Sequence, residues 1–341
     1  MTDVPTTVPT GNLLVRVHAI GLGREDVEDV YHISSYFWLR SKGRRLGSSF
    51  SGIVELVGGN CGKFQAGDEV IGMVLNPSME GSGADFLVIA EGLCTSKPSS
   101  VTHNEAVTII SDAMLAERTL RVVKAKDTDA ILITGGSCNL ARMLIELAKS
   151  AMFGVEWVAS SVDRTEDKEY AESVGADETF VTSCHGGNWS EPFESGINRK
   201  EYEVVIDLVG DSKHAKRLLA EGGRFVSLFN KPTPSELLDF DARVGSRWLS
   251  SRARFFLSRN AKLANMVAGC SGRMTSCEGK YFSVIASGDG EILERIVVLI
   301  DTGTLTGFVE KVFGISEISN AVSQVKKRPF SRGRVVVSFV S

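Results

Sequence analysis

Residues Ile131–Arg142 read ILITGGSCNLAR. An apolar run of this kind, stopped by a glycine pair and followed by a helix-forming stretch, predicts a buried strand, a tight turn and a helix. That arrangement points backbone N–H groups and a helix N-terminus at one place, which suits the pyrophosphate of a dinucleotide. The full fingerprint needs three glycines: one for the turn, one for close approach of a phosphate, one for packing helix on strand. Here Gly135 and Gly136 supply the first part, while Cys138–Asn139 and Ala141 stand where the later glycines belong. The candidate cofactor loop is therefore Gly135, Gly136, Ser137, Cys138, Asn139 and Leu140. Two readings stay open: a dinucleotide site, or a retained strand–turn–helix whose site is altered.

Outward from this loop, strands and helices alternate. Gly154–Ser160 reads as a second strand, Glu178–Val181 as a third, Glu203–Leu208 as a fourth and Gly222–Phe229 as a fifth. Helices are expected near Glu166–Val174 and Ser212–Ala220. Apolar strands alternating with helices predict α/β architecture with a doubly wound parallel sheet. Upstream the period changes. Leu13–Ile20, Ser51–Val57, Glu69–Val74 and Asp85–Ala90 are short strands separated by glycine turns, which predicts a compact β-rich unit. A helix follows from Asn104 to Val122, with Thr102 as a candidate cap. The tail carries a strand at Tyr281–Ala286, an amphipathic helix at Glu291–Asp301, and a strand–helix–strand over residues 307–340. We expect this tail to return to the first unit.

The second strand's tip selects the cofactor. An acidic residue there favours NAD, whereas small and basic residues favour the 2′-phosphate of NADP. Here the strand ends in Ser160 and Ser161, with Arg164 and Lys168 soon after, a pattern that leans to NADPH against the presence of Asp163. Cys138, in the turn, is either a small filler or a thiol activated at a helix start. His103 reads as a neighbour of the helix cap.

Composition bounds the rest. The chain has 341 residues, 43% hydrophobic and 23% charged, so it can bury a large core and is not disordered. Its 34 glycines against 8 prolines signal tight turns and close backbone approaches rather than linkers. A net charge of −4 gives no pull toward nucleic acid. No apolar run reaches the ~18 residues of a membrane span. Met1–Gly11 has no Lys or Arg and no apolar core, so neither a secretory signal nor a recognisable transit peptide is expected. Six scattered cysteines without a CxxC pair point to a reducing compartment and to no zinc site. Residues 242–280 concentrate eight basic residues against one acidic, a solvated surface or a peripheral contact for an anionic partner.

Several stretches together resemble a known family. These are LVRVHAIGL (14–22), GIVELVGGNCGKFQAGDEVIGMV (52–74), SKPSSVTHNE (96–105), VIDLVG (205–210), GGRFVSL (222–228), YFSVIASG (281–288) and RGRVVV (332–337). The chain is similar to zinc-free medium-chain dehydrogenase/reductases of the quinone oxidoreductase and enoyl reductase group, with the reticulon-interacting mitochondrial oxidoreductases nearest. The resemblance implies a GroES-like catalytic domain (1–111 and 304–341) and a Rossmann dinucleotide-binding domain (112–303). It implies hydride transfer from NADPH to a quinone or an activated enone or enoyl double bond. It also implies a mitochondrial location, where the residues alone read as cytoplasmic, and a homodimer. The alternative is a degenerate reductase fold with cofactor binding lost, kept as a binding or structural subunit. The catalytic residue is unassigned, with Tyr36 a weak candidate from the segment where the family's substrate pocket forms. Several family positions have changed: Gly23 stands for an Asn, Leu115–Glu117 for a Thr-Ala-aromatic stretch, and Thr182 for a Tyr that holds the 2′-phosphate end.

Overall fold

The computed structural model describes residues 5–27, 46–74, 81–181, 201–210, 215–228, 258, 280–282, 290–328 and 331–340. Tyr36 and Thr182 lie outside the described residues, as does the basic stretch 242–280 apart from Ser258 and Lys280.

Two sheets organise the molecule. The first has seven strands in the order β12-β13-β1-β2-β3-β5, with β4 also paired to β1. Its strands are β1 (Asn12–Leu22), β2 (Ser49–Val57), β3 (Glu69–Met73), β4 (Phe86–Ala90), β5 (Cys94–Ser96), β12 (Val309–Gly314) and β13 (Arg334–Ser338). The tail does return to the first unit: β13 runs antiparallel to β1, with Ile20 opposite Val337. The two ends of the chain share one apolar core, in which Leu13, Ile20, Phe50 and Val70 pack with Phe313, Val335 and Val337.

The second sheet has six strands in the order β11-β10-β9-β6-β7-β8. They are β6 (Ala130–Ile133), β7 (Trp157–Val162), β8 (Glu178–Val181), β9 (Tyr202–Asp207), β10 (Leu219–Ser227) and β11 (Lys280–Phe282), and every pairing is parallel. In sequence order this is 6-5-4-1-2-3, the doubly wound arrangement, with its topological switch between β6 and β9. Ala130–Ile133 is buried throughout, as a central parallel strand covered on both faces must be.

Among the described residues six helices accompany the sheets: α1 (Arg24–Val27), α2 (His103–Val122), α3 (Asn139–Lys149), α4 (Thr165–Ser173), α5 (Gly290–Asp301) and α6 (Ile318–Lys327). Thr102 caps α2 in a reciprocal box: its hydroxyl accepts the Glu105 N–H at 3.2 Å, and the Thr102 N–H donates to the Glu105 carboxylate at 2.8 Å. The boundary expected at 111/112 falls inside this single helix. Its buried residues pack on α3 and α5 and also lie against β1, β2, β3 and β13.

One local expectation needs correction. The helix expected over 212–220 is described only from Ala215, which is helical, and it ends earlier than expected: Lys216–Leu218 is a single 3-10 turn, and β10 begins at Leu219. Leu219 pairs with Tyr202 of β9, after which the register shifts before Arg224 pairs with Val204. An early sheet contact wins over local helix preference here.

Candidate functional site

The loop between β6 and α3 sits at the switch point. Gly135 has φ +75°, a left-handed conformation that side chains disfavour, so the sharp exit from β6 needs glycine. Gly136 is needed for a different reason. A Cβ there would run into the Ser160 hydroxyl of β7 and close on the Ser161 carbonyl at 3.2 Å. The loop is laced to β7 as well: the Gly136 N–H donates to the Ser161 carbonyl at 2.6 Å, and the Gly135 N–H to the Ser161 hydroxyl at 3.3 Å. The Ser160 hydroxyl donates to the Ile133 carbonyl at 3.3 Å. Ser160 and Ser161, just before the last residue of β7, thus form the floor of the loop.

On the β9 side the rim is set by Asp207, which is fully buried. Its carboxylate accepts the Thr134 hydroxyl at 3.1 Å, the Ser227 hydroxyl at 3.1 Å, and the N–H groups of Val209 and Gly210 at 3.1 and 2.9 Å. One carboxylate therefore ties together the ends of β6, β9 and β10. Sequence reading missed this role, although an acid closing the apolar run EVVIDL was the available signal.

The start of α3 is where a phosphate would be expected. Cys138 is its N-cap, and the sulfur accepts the Ala141 N–H at 3.4 Å. Burial pushes the Cys138 thiol up to about 11, and the helix-start N–H groups only partly oppose that shift. The thiol is therefore a neutral filler and cap, not an activated nucleophile. Asn139 is buried and turns its side chain away from the loop toward α2. Its amide donates to the Thr108 carbonyl at 2.9 Å and to the Asp112 carboxylate at 2.5 Å. Asp112 also holds Arg334 through two bonds of 2.6 and 2.9 Å. Arg142 completes the group, donating to the Asn139 side-chain oxygen at 3.0 Å and to the Thr306 hydroxyl at 2.9 Å. Ser137 and Leu140 complete the loop.

At the outer end Arg164 lies half in solvent and pairs with Glu166 at 2.6 Å and with Asp167 at 2.9 Å. Lys168 pairs with Glu172 at 3.7 Å along α4, away from the loop. Arg332 joins Asp167 from the tail at 2.6 Å and lies over the Tyr170 ring, 4.7 Å from its centroid. The structure therefore groups Gly135–Leu140 with Ser160 and Ser161, and groups Arg164 with Arg332 around Asp167.

The altered family positions have found structural partners. The Gly23 N–H donates to Asp26 at 2.9 Å. Glu117 is buried and paired with Arg295 of α5 at 2.9 Å and with Arg121. His103 is not a bystander of the cap. Its Nδ1 lies 2.6 Å from the Ser51 hydroxyl, its Nε2 lies 3.3 Å from Glu69, and its ring is 4.5 Å from that of His18. Among the described residues no group of three or more His, Cys, Asp or Glu could hold a metal ion, and no helix is long and apolar enough to cross a membrane.

Both sheets have family counterparts. Residues 9–107 match the alcohol dehydrogenase GroES-like domain, and residues 174–337 match the zinc-binding dehydrogenase domain. The chain is a medium-chain dehydrogenase/reductase. Among this family, the mitochondrial NAD(P)H oxidoreductase RTN4IP1 of Danio rerio is 25% identical over 306 residues, covering 86% of this chain and 72% of that protein. A 2-methylene-furan-3-one reductase of Solanum lycopersicum is 28% identical over 193 residues, 55% of this chain and 47% of that protein. The quinone oxidoreductase structure from Coxiella burnetii superposes with a TM-score of 0.72 at 19% identity, covering 99% of this chain and 94% of that one.

A nicotinamide dinucleotide is the cofactor this family implies. The left-handed turn at Gly135 and the hydroxyls of Ser160 and Ser161 beside it suit it. At the start of α3 the Asn139 N–H already has an acceptor, the Ser331 carbonyl at 3.0 Å.

Proposed function

We propose that this medium-chain dehydrogenase/reductase is an NADPH-dependent, zinc-free reductase acting on a quinone or an activated enone or enoyl double bond. The observation that carries the cofactor reading is the tip of β7. Two buried positions just before its last residue, Ser160 and Ser161, bear hydroxyls, and Arg164 stands beyond its end, against the one carboxylate there, Asp163. Arg164 follows on the first approach to α4. Arg164 itself is half exposed, and Asp167 keeps Arg332 as a partner if Arg164 turns to a 2′-phosphate. In this reading the Gly135–Leu140 turn, Ser160 and Ser161 hold the dinucleotide, and Arg164 is the described cation for its 2′-phosphate end. When bound, the nicotinamide supplies the hydride. The protein's share is geometry: Asp207 fixes the crevice rim, and the packed Gly136–Ser160 contact sets how close a ligand comes to β6. Tyr36 is the candidate for contact with the acceptor. The reductases of Danio rerio and Solanum lycopersicum support the reaction class, and the former supports a mitochondrial setting.

One observation favours a second reading, a scaffold that no longer binds cofactor. Cys138 and Asn139 are built into the helix start, and the Asn139 N–H is already bonded. Thermal unfolding with NADPH and with NADH decides between them. A ligand at a hundred times its Kd stabilises the native state by ~2.7 kcal/mol. A rise in Tm with NADPH well above that with NADH is the expected result. No rise with either at millimolar concentration overturns the reductase and leaves the scaffold.

A further inference from the structure

One short piece of the tail touches three helices at the mouth of the crevice. The Ser331 carbonyl accepts the Asn139 N–H at the start of α3, at 3.0 Å. Arg332 donates to Asp167 at 2.6 and 3.0 Å and to the Glu166 carbonyl at 3.0 Å, all on the first turn of α4. The Tyr170 hydroxyl returns a bond to the Arg332 carbonyl at 3.4 Å. Arg334 grips Asp112 of α2, and Asp112 in turn holds the Asn139 side chain. The two ends of this piece differ in kind. The Arg334–Asp112 pair is buried and bidentate, a fixed anchor. The Arg332 guanidinium is about a third exposed, so its clip to Asp167 is partly solvated and weaker.

We propose that residues 331–334 form a strap across the start of α3 that a dinucleotide must lift. The inference rests on the reductase reading and adds a gate to it. The physical reason is competition for one donor. A phosphate oxygen and the Ser331 carbonyl cannot both take the Asn139 N–H in a linear bond, and the positive end of α3 favours the anion once it arrives. The residues standing where the fingerprint has glycine are what hold the strap. Asn139 supplies the N–H, and its side chain shares Asp112 with Arg334. Release begins at the weak end, with Arg332 leaving Asp167, while Arg334 stays anchored.

The test uses the full chain and its Arg332→Ala and Arg332→Lys variants. Without cofactor, hydrogen exchange at the Asn139 amide is expected to be about tenfold faster in Arg332→Ala and intermediate in Arg332→Lys, because an opening clip raises the open population. Fluorescence titration with NADPH is expected to give a Kd roughly fivefold lower for Arg332→Ala, the part of the binding energy no longer spent on opening. An Asn139 amide equally protected in all three proteins, or equal NADPH affinity, overturns the strap and leaves the reductase reading intact. Faster exchange in Arg332→Ala with no NADPH binding by any of the proteins overturns the reductase reading and shows the clip to be real.

Discussion

Asp112→Ala should be among the most damaging substitutions outside the apolar core. The Asp112 carboxylate accepts two bonds from Arg334, at 2.6 and 2.9 Å, and one from Asn139 at 2.5 Å. Both partners of the ion pair are nearly sealed, with side-chain exposures of 10% for Asp112 and 6% for Arg334. Truncating the acid leaves a guanidinium buried beside the start of α3 with its counter-charge gone. Breaking a buried pair in this way costs about 3–5 kcal/mol. At the scale of a large domain that is a fall in Tm on the order of 10 °C. The assay is urea unfolding followed by circular dichroism, on wild type, Asp112→Ala, Arg334→Met and the double variant. The double variant carries neither charge of the pair and should recover most of the loss, giving a coupling of roughly 2 kcal/mol or more. A loss below about 1 kcal/mol in Asp112→Ala, or a double variant as unstable as the sum of the singles, refutes the argument that the pair pins β13 to α2.

Three further outcomes follow from the same geometry. Gly136→Ala should destabilise by roughly 1–3 kcal/mol, because its Cβ collides with Ser160; adding Ser160→Gly should recover part of this in thermal unfolding, and equal damage in both would refute the contact. Burial pushes the Glu146 carboxyl to about 7, only partly opposed by Arg142 at 3.8 Å and Thr306 at 3.4 Å. Its folded pKa is raised, so the native state holds the proton more tightly. That stability is present below pH ~4.5 and is lost as pH rises through 7, by up to about 3 kcal/mol. Urea midpoints at pH 5 and pH 8 should differ less in Glu146→Gln than in wild type, and an unchanged slope would exclude Glu146 as the source. Burial, with His18 alongside, lowers the pKa of His103, which also faces Ser51, Glu69 and Lys97. A depressed imidazole contributes stability present above the usual imidazole pKa and lost as pH falls through the folded value. His103→Gln should therefore unfold less readily than wild type on acidification, relative to its own stability at pH 8.

The fold was largely legible in the sequence because its signals are local. The buried run at Ala130–Ile133, the glycine pair after it and the capping residue Thr102 each state their structure within a few neighbours. The first residues of β10, Leu219 and Ala220, were read as the end of a helix because the pairing of Leu219 with Tyr202 lies across the sheet and leaves no local trace. The candidate site was legible only in part. Gly135, Gly136 and the Ser160–Ser161 tip were found, since they follow a known pattern. Asp112, Asp167, Asp207, Arg332 and Arg334 were not, because what they do depends on partners up to 222 residues away.

By itself, then, the sequence determined the alternation of strands and helices, the turn after β6 and the changed residues at 138 and 139. Only the tertiary structure decided what those changes mean. Sequence reading took Cys138 and Asn139 as losses from a phosphate loop. The folded chain makes the first a neutral helix cap and the second the link between Asp112 and the start of α3. The physical reason is that a hydrogen bond's partner is set by where the chain folds back. The segment that meets Asn139 comes from the far end of the chain, brought there by β13 pairing with β1.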